Sequence, residues 1–571
     1  MPKEKLAMSQ IRQNQVIAAV LFIISFALLA GTAAHYGITY DEPVYLGLGQ
    51  RHAQWFSDLW SSIRAGDIVT PFSAKVLDTA WYAGKDQQPP LVKVVSGLGQ
   101  RWLTPILGEW AAMRLPSILL FAVAVTGLFL LCAPSWGRIA GLFAALSLLL
   151  MPRPFAHAHY AALDAPIAAL SLLTIIAFLR LAEHDSFRWA AIAGVAFGLA
   201  LLTKLNAFFL PIMVIAWALL CARHALPKAA LALFVIGPAV FFIGWPWLWH
   251  SPLERLADYL AFHLRHYPVD VFYLGKMYHY APWHYPWVLT AITTPTPVLL
   301  LSLFGLVNLA GARTPQQEQR QAIALLLAIG AGVSLLFSSL PFAPKYNGVR
   351  LFLPAFPFIA GLAGAGLGLV TGALRSGLAR WQWGERAHLG RGLAAALAFV
   401  LLLPTLLGVT ATHPHQLAYY NALVGGPLGA RARGFETIYW GGVYLDALGD
   451  FNNFNYLHPG ATLYITPPGA ISLLVFYQRA GMLRPDLRFV STGATRPDTL
   501  RAIAAARLVV FQCAQSEFDE VSSPLYRFGH PQMSRALGPG KLAVPLLVGY
   551  ASESAVMVLK RVPRGSAEVS H

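Results

Sequence analysis

The chain has 571 residues, 56% of them hydrophobic and only 12% charged, with a mean hydropathy of +0.55. Soluble domains carry about a quarter charged residues, so this composition, with its repeated apolar runs of span length, excludes a soluble enzyme and describes a polytopic α-helical membrane protein. The net charge of +16 is not a nucleic-acid footprint, because many basic residues fall in short loops between apolar runs, the positive-inside pattern.

Lys3, Lys5 and Arg12 precede the first span, 16–34, and place the N-terminus inside. That run lacks a small-x-small cleavage site and reads as an uncleaved anchor. A long outer loop, 35–111, follows. It holds Tyr40-Asp41-Glu42-Pro43-Val44-Tyr45, the mixed polar and aromatic run Arg51–Phe56, and Gln88-Pro89-Pro90-Leu91-Val92-Lys93. Span two is 115–131. Span three, 139–151, is short: at 1.5 Å per residue it covers about 20 Å of a roughly 30 Å core. Its continuation, Pro152–Tyr160, therefore sits at the membrane boundary, where polar backbone is tolerated only if it lines a cavity. Asp164 opens span four, which ends near Arg180. Residues 189–220 form two short apolar runs broken by Thr203-Lys204-Leu205-Asn206, a hairpin with its tip outward.

The next span ends in an aromatic belt, Gly244–Trp249, before a second outer loop, 250–287, rich in His and Tyr. Spans follow at 290–310, up to Leu340, at 351–370 and at 393–409. Arg313 and Arg320, then Arg375, Arg380, Arg386 and Arg391, mark inner loops. The total is about eleven spans, with the N-terminus cytoplasmic and the C-terminus outside. Gly364, Gly368 and Gly372 have the spacing of close helix packing. Residues 1–411 form the membrane domain. Residues 412–571 read as an extracytoplasmic α/β domain, with strands at 461–466, 487–491, 508–512 and 556–562 and helices at 471–480 and 498–505. No P-loop or nucleophile elbow occurs there, which suits a binding or covering role. Cys132, Cys221 and Cys513 form no metal spacing and no disulfide framework.

Ionisable groups collect at the outer ends of the spans: Asp41, Glu42, Lys93, Arg153, His157, His159, Asp164, Lys204, His279, Lys345 and Arg350. Such a gathering at one membrane boundary points to a site. Each also has a plainer reading. Asp41 and Asp164 suit helix N-caps, the three lysines can snorkel, and His157 and His159 cannot both face one side. Carboxylates with cations suit transfer of a sugar from a polyprenyl phosphate. The phosphate leaving group needs cations rather than a proton donor, and the acceptor hydroxyl needs a carboxylate base. A single displacement inverts the anomeric centre. Nucleotide sugars stay in the cytosol, so an outward-facing enzyme uses a lipid-linked donor.

Motifs in chain order carry a family resemblance. The Asp41-Glu42 pair, Gln88-Pro89-Pro90-Leu91, Arg114-Leu115-Pro116-Ser117, the segment from His157 to Leu163-Asp164-Ala165-Pro166, Gly198 to Thr203-Lys204, and Arg350-Leu351-Phe352-Leu353-Pro354 resemble those of the protein O-mannosyltransferase and aminoarabinose transferase superfamily (glycosyltransferase families 39 and 83). These are GT-C fold enzymes that use lipid-linked sugars. The resemblance implies Asp41 as catalytic base, Glu42 as its support or an acceptor contact, and Asp164 as a second site carboxylate. Lys93, Lys204, Arg350 and Lys345 become donor-phosphate ligands, with Arg153, His157, His159 and Tyr346 as further site candidates. The stretch Gln416–Asn421, Gly425-Gly426 and Tyr439-Trp440-Gly441 resembles a segment of prokaryotic members with an outer C-terminal domain. The tail beyond it matches neither the mannosyltransferase β-trefoil insert nor the aminoarabinose enzyme's tail. The expected location is a prokaryotic inner (plasma) membrane, and the expected partners are a polyprenyl-phosphate sugar, membrane lipids and a lipid, glycan or protein acceptor, not nucleic acid. Donor sugar, acceptor and a divalent metal ion stay open. A flippase for a lipid-linked glycan is the alternative, though no internal repeat supports it.

Overall fold

A computed structural model describes residues 3–82, 84, 88–311, 314–341, 343–380, 387–493, 495–537 and 544–561. Among these, seven helices are long and apolar enough to cross a membrane: Ser9–His35, Glu109–Trp136, Asp164–His184, Arg223–Ile243, Pro315–Ser338, Ala355–Gly377 and Gly390–Ala411. Two bent pairs raise this to nine if each is one span. They are Arg138–Leu150 with Pro152–Ala158, bent by 66°, and Tyr285–Thr293 with Thr296–Leu309, bent by 116°. Both bends sit at prolines. The residue before a proline is pushed out of the helical region, and Met151 (ψ 122°) and Thr294 (ψ 131°) are extended there. The expectation of eleven spans counts two more, the short apolar helices Phe187–Leu201 and Leu205–Cys221. The basic marks Arg313 and Arg386 lie outside the described residues, as do the side chains of Lys3, Lys5 and Arg380.

The long loop 35–111 is mostly helical rather than irregular, with helices at Glu42–Arg64, Ala74–Trp81 and Leu91–Leu107. In the run Arg51–Phe56, His52, Ala53 and Trp55 are buried while Arg51, Gln54 and Phe56 are exposed. This is one turn of an amphipathic helix. The first and last of these helices touch backbone to backbone. A Cβ on Gly49 would meet the Lys93 carbonyl oxygen at 2.3 Å, and one on Gly97 would meet Gly49 at 2.3 Å.

The glycines of helix Ala355–Arg380 serve the same purpose. A Cβ on Gly364 would meet Ala144 at 2.6 Å and one on Gly368 would meet Trp136 at 2.7 Å, while Gly372 faces open space. The closest approach is at Gly366, absent from the expected spacing, where a Cβ would meet the Leu301 carbonyl oxygen at 2.1 Å.

Beyond Ala411 the chain builds a five-stranded sheet. A hairpin, β1 (Val271–Tyr273) and β2 (Lys276–Tyr278), precedes it in the loop 250–287. The sheet strands are β3 (Thr462–Ile465), β4 (Arg488–Val490), β5 (Leu508–Gln512), β6 (Met533–Leu537) and β7 (Val544–Ala551), in the order β4-β3-β5-β7-β6. β3 is parallel to β4 and β5, and β7 is antiparallel to β5 and β6. The strand expected at 556–562 is instead a helix, Ser552–Arg561, and the strand lies just before it. Ala555 and Leu559 are buried while Glu553, Met557 and Lys560 are exposed. This is the helical period, and it outweighs the β-branched valines. The sheet's apolar core is continuous with the helical body through Ile38, Leu46, Trp110, Met113 and Ala161. The segment around Asp41 is therefore held from both sides.

A Gly366→Leu substitution should force helices 296–305 and 355–380 apart. It should cost about 1–3 kcal/mol and lower the detergent melting temperature, whereas Gly372→Leu should leave it nearly unchanged.

Candidate active site

Four elements bring the site together. Asp41 occupies the N-cap position of helix Glu42–Arg64 but makes no side-chain cap bond. Asp164 lies in the first turn of its helix, also without a cap bond. Lys204 sits in the break between Phe187–Leu201 and Leu205–Cys221, with extended backbone. Arg350 opens the short turn Arg350–Phe352. Hydrogen bonds between segments brace these elements: Leu91 N donates to Leu202 O at 2.9 Å, and the Asn206 side-chain Nδ2 donates to Leu351 O at 3.0 Å.

The Arg350 guanidinium is the hub. Its Nη2 is 2.5 Å from Asp41 Oδ2, and its Nε is 3.2 Å from Asp164 Oδ2. The other Asp164 oxygen is paired with Lys204 Nζ. Two carboxylates and two cations thus form one balanced chain of charge. Asp164 is 1% exposed, Arg350 9% and Asp41 26%, so Asp41 is the carboxylate that reaches solvent. The chain lies in the wall of a cavity of about 540 Å³. Asp41, Lys204, Asn347, Arg350, Tyr346 and Trp440 surround its polar end. Leu205, Phe208, Phe209, Phe337, Leu260 and Leu264 supply apolar lining. The lining therefore offers cations to an anion and apolar side chains to a hydrocarbon chain.

Several expected site residues stand behind this wall. Glu42 is fully buried and points away from the cavity. Its carboxylate takes both prongs of Arg114, at 2.8 and 2.9 Å, and the Thr39 and Ala161 amides at 3.0 Å. It sits directly beside Asp41 at the start of the same helix. Lys93 is buried beside the Tyr45 ring, with Nζ on the Gln88 carbonyl at 2.6 Å. Lys345 binds the carbonyls of Leu340 and Ala343 at 2.7 and 2.9 Å and lines a small neighbouring recess. Arg153 stacks on Tyr420 and donates to the Tyr419 carbonyl. His157 reaches Tyr439 Oη at 3.3 Å, while His159 lies against Tyr36 and Thr32. His279 is exposed and paired with Asp270. Among the described residues no group of three or more His, Cys, Asp or Glu could hold a metal ion. The cavity also contains His263, His266 and Tyr267, which sequence reasoning left unassigned although the loop's wealth of His and Tyr signalled them. Trp440 was flagged only as part of a motif.

Residues 89–250 match the family described as Dolichyl-phosphate-mannose-protein mannosyltransferase. That match covers less than a third of the 571-residue chain. The matched segment contains Lys93, Arg114, Asp164 and Lys204; Asp41 and Arg350 lie outside it. No curated protein matches the chain. Among solved structures, ArnT from Cupriavidus metallidurans bound to undecaprenyl phosphate aligns over 95% of this chain and 98% of its own, at 16% identity and a TM-score of 0.46. The archaeal oligosaccharyltransferase AglB from Archaeoglobus fulgidus, in complex with an inhibitory peptide and a dolichol-phosphate, aligns over 87% and 69%, at 10% identity and a TM-score of 0.47.

Two acids of the sheet-bearing part lie close by. Glu517 accepts from Tyr40 Oη at 3.2 Å and from Gln512. Glu436 accepts from the Ser516 amide and hydroxyl at 2.8 and 2.6 Å. Burial pushes both carboxyls up to about 7, against the pull of those hydrogen bonds. The folded state therefore keeps protons that the unfolded chain releases above about 4.5. Stability should fall as pH rises from 4.5 towards 7. Glu517→Gln should flatten that fall and melt above wild type at alkaline pH, measured by thermal unfolding in detergent.

Removing Glu42 leaves Arg114 buried and unpaired. Glu42→Ala should cost about 3–5 kcal/mol and abolish a cooperative melt. Asp41→Asn, at the half-exposed neighbour, should fold like wild type.

Proposed function

We propose that the protein is a membrane glycosyltransferase that moves a sugar from a polyprenyl-phosphate donor to a hydroxyl-bearing acceptor. The observation that carries this reading is the single cavity wall that joins a carboxylate, Asp41, to two cations, Lys204 and Arg350, beside an apolar channel. The donor's hydrocarbon fits the apolar side and its phosphate the cations. The charge chain is balanced at rest, so an incoming phosphate competes with Asp41 for Arg350. Donor binding then frees the Asp41 carboxylate next to the anomeric carbon.

In the transfer step Asp41 takes the acceptor's hydroxyl proton. The acceptor oxygen forms its bond to the anomeric carbon as the bond from that carbon to the phosphate oxygen breaks. The bonding electrons leave with the polyprenyl phosphate, whose charge Lys204 and Arg350 stabilise. Asp164 holds the two cations apart at a fixed spacing. One base and one displacement invert the anomeric centre. In this reading residues 1–411 are the membrane domain and 412–571 an extracytoplasmic domain covering the site, in a prokaryotic inner membrane. The acceptor is a lipid, a glycan or a protein.

Purified protein incubated with a panel of labelled polyprenyl-phosphate sugars and native membrane extract should release label from at least one donor. Asp41→Asn should slow that transfer by about 10²–10⁴-fold while still binding the donor. Lipid binding without transfer from any donor would favour a flippase. Equal transfer by both proteins would remove Asp41 as the base.

A further inference from the structure

Two left-handed turns meet over Arg350. Asn347 and Gly348 have φ of 53° and 65°, and Trp440 and Gly441 have φ of 76° and 82°. A bulky side chain in that region is an outlier. Such a conformation persists only where the surroundings over-determine it, and here they do. A Cβ on Gly348 would meet Tyr439 at 2.5 Å, so the turns interlock. A Cβ on Gly37 would meet the Gly442 carbonyl oxygen at 1.8 Å, so the second turn lies directly on the segment leading to Asp41. The Trp440 carbonyl accepts from Tyr40 N at 3.3 Å, and Gly441 N donates to Gln512 Oε1 at 3.1 Å.

The strained residue delivers a large ring to the charge chain. Trp440 is 0% exposed, wedged against His157 and Tyr160 with ring centroids 5.2 and 5.3 Å away. The Arg350 guanidinium carbon stands 4.3 Å from its ring centroid and 5.8 Å from that of Tyr346. Stacking occupies the face of the guanidinium and leaves the N–H groups on its edge for oxygen ligands. It also removes rotamer freedom that a ligand would otherwise have to quench.

We propose that Trp440, supplied from beyond the helical body, is the positioning residue of the anion site, holding the plane of Arg350 so that the edge now on Asp41 can pass to a phosphate. This rests on the reading of Arg350 as the donor-phosphate ligand. A lysine at 350 could not use the device, because an ammonium has no plane to fix. The part of the chain after Ala411 is then a component of the site and not only its cover.

The test is a double-mutant cycle read by binding of a long-chain polyprenyl phosphate to the full-length protein in detergent. W440L should weaken binding by about ten-fold, and W440F, which keeps an aromatic face, by no more than roughly three-fold. In an Arg350→Lys background both should add less than about two-fold. Equal losses in both backgrounds, or wild-type affinity for W440L, would overturn the proposal while leaving the phosphate reading intact. A wild-type protein that binds no polyprenyl phosphate would overturn both. Should W440L fail to melt cooperatively, the W440F and Arg350→Lys cycle decides by the same criterion: additive losses overturn the proposal, and a loss that disappears with lysine supports it.

Discussion

The buried pair of Glu42 and Arg114 is the constraint on which the site depends. Both side chains are fully buried, so each has lost its hydration, a penalty of several kcal/mol per ion. Their geometry offsets it. Arg114 takes both carboxylate oxygens and the carbonyls of Ala33, Tyr36 and Gly37, while Glu42 adds the amides of Thr39 and Ala161. These bonds fix the end of the first span, the start of helix 42–64, the head of helix 109–136 and the loop before Asp164. With those four pieces fixed, Asp41 has one direction left, towards Arg350.

The Glu42–Arg114 pair explains why two adjacent carboxylates have different roles. Successive residues on a helix are rotated by about 100°. One of the two must therefore turn inward when the helix packs on the body. The inward one is made structural by Arg114, and the other is left at the cavity mouth. Two such steps, about 200°, separate His157 from His159, which lie on different sides and bond to Tyr439 and to Thr32.

Much of this was legible in the chain. Hydropathy and basic loops located the spans, and polar residues at span ends located Asp41, Asp164, Lys204 and Arg350. The broken hairpin at Thr203–Asn206 was readable because two apolar runs too short to span alone flank it. The facing of each charge was not readable. Lys93, Arg153 and Lys345 lie near the cavity, yet nearby carbonyls hold the two lysines and the distant Tyr419 carbonyl holds Arg153 behind the wall. Trp440 was hidden for a stronger reason: no local pattern anticipates a tryptophan in left-handed conformation, which exists only because Gly348 and Gly37 leave room for the turn. In the tail, β-branched composition misled at 556–562, where burial follows the helical period.

The central claim is that Lys204 and Arg350 receive the phosphate and that its arrival frees Asp41. A cryo-electron microscopy map of the full-length protein with a polyprenyl phosphate bound tests it most directly. The account predicts phosphate density within hydrogen-bond reach of Lys204 Nζ and the Arg350 guanidinium, the hydrocarbon along Phe208, Phe209 and Phe337, and the Asp41 carboxylate separated from Arg350. Phosphate density elsewhere, or an Asp41–Arg350 pair unchanged beside a bound phosphate, would contradict it.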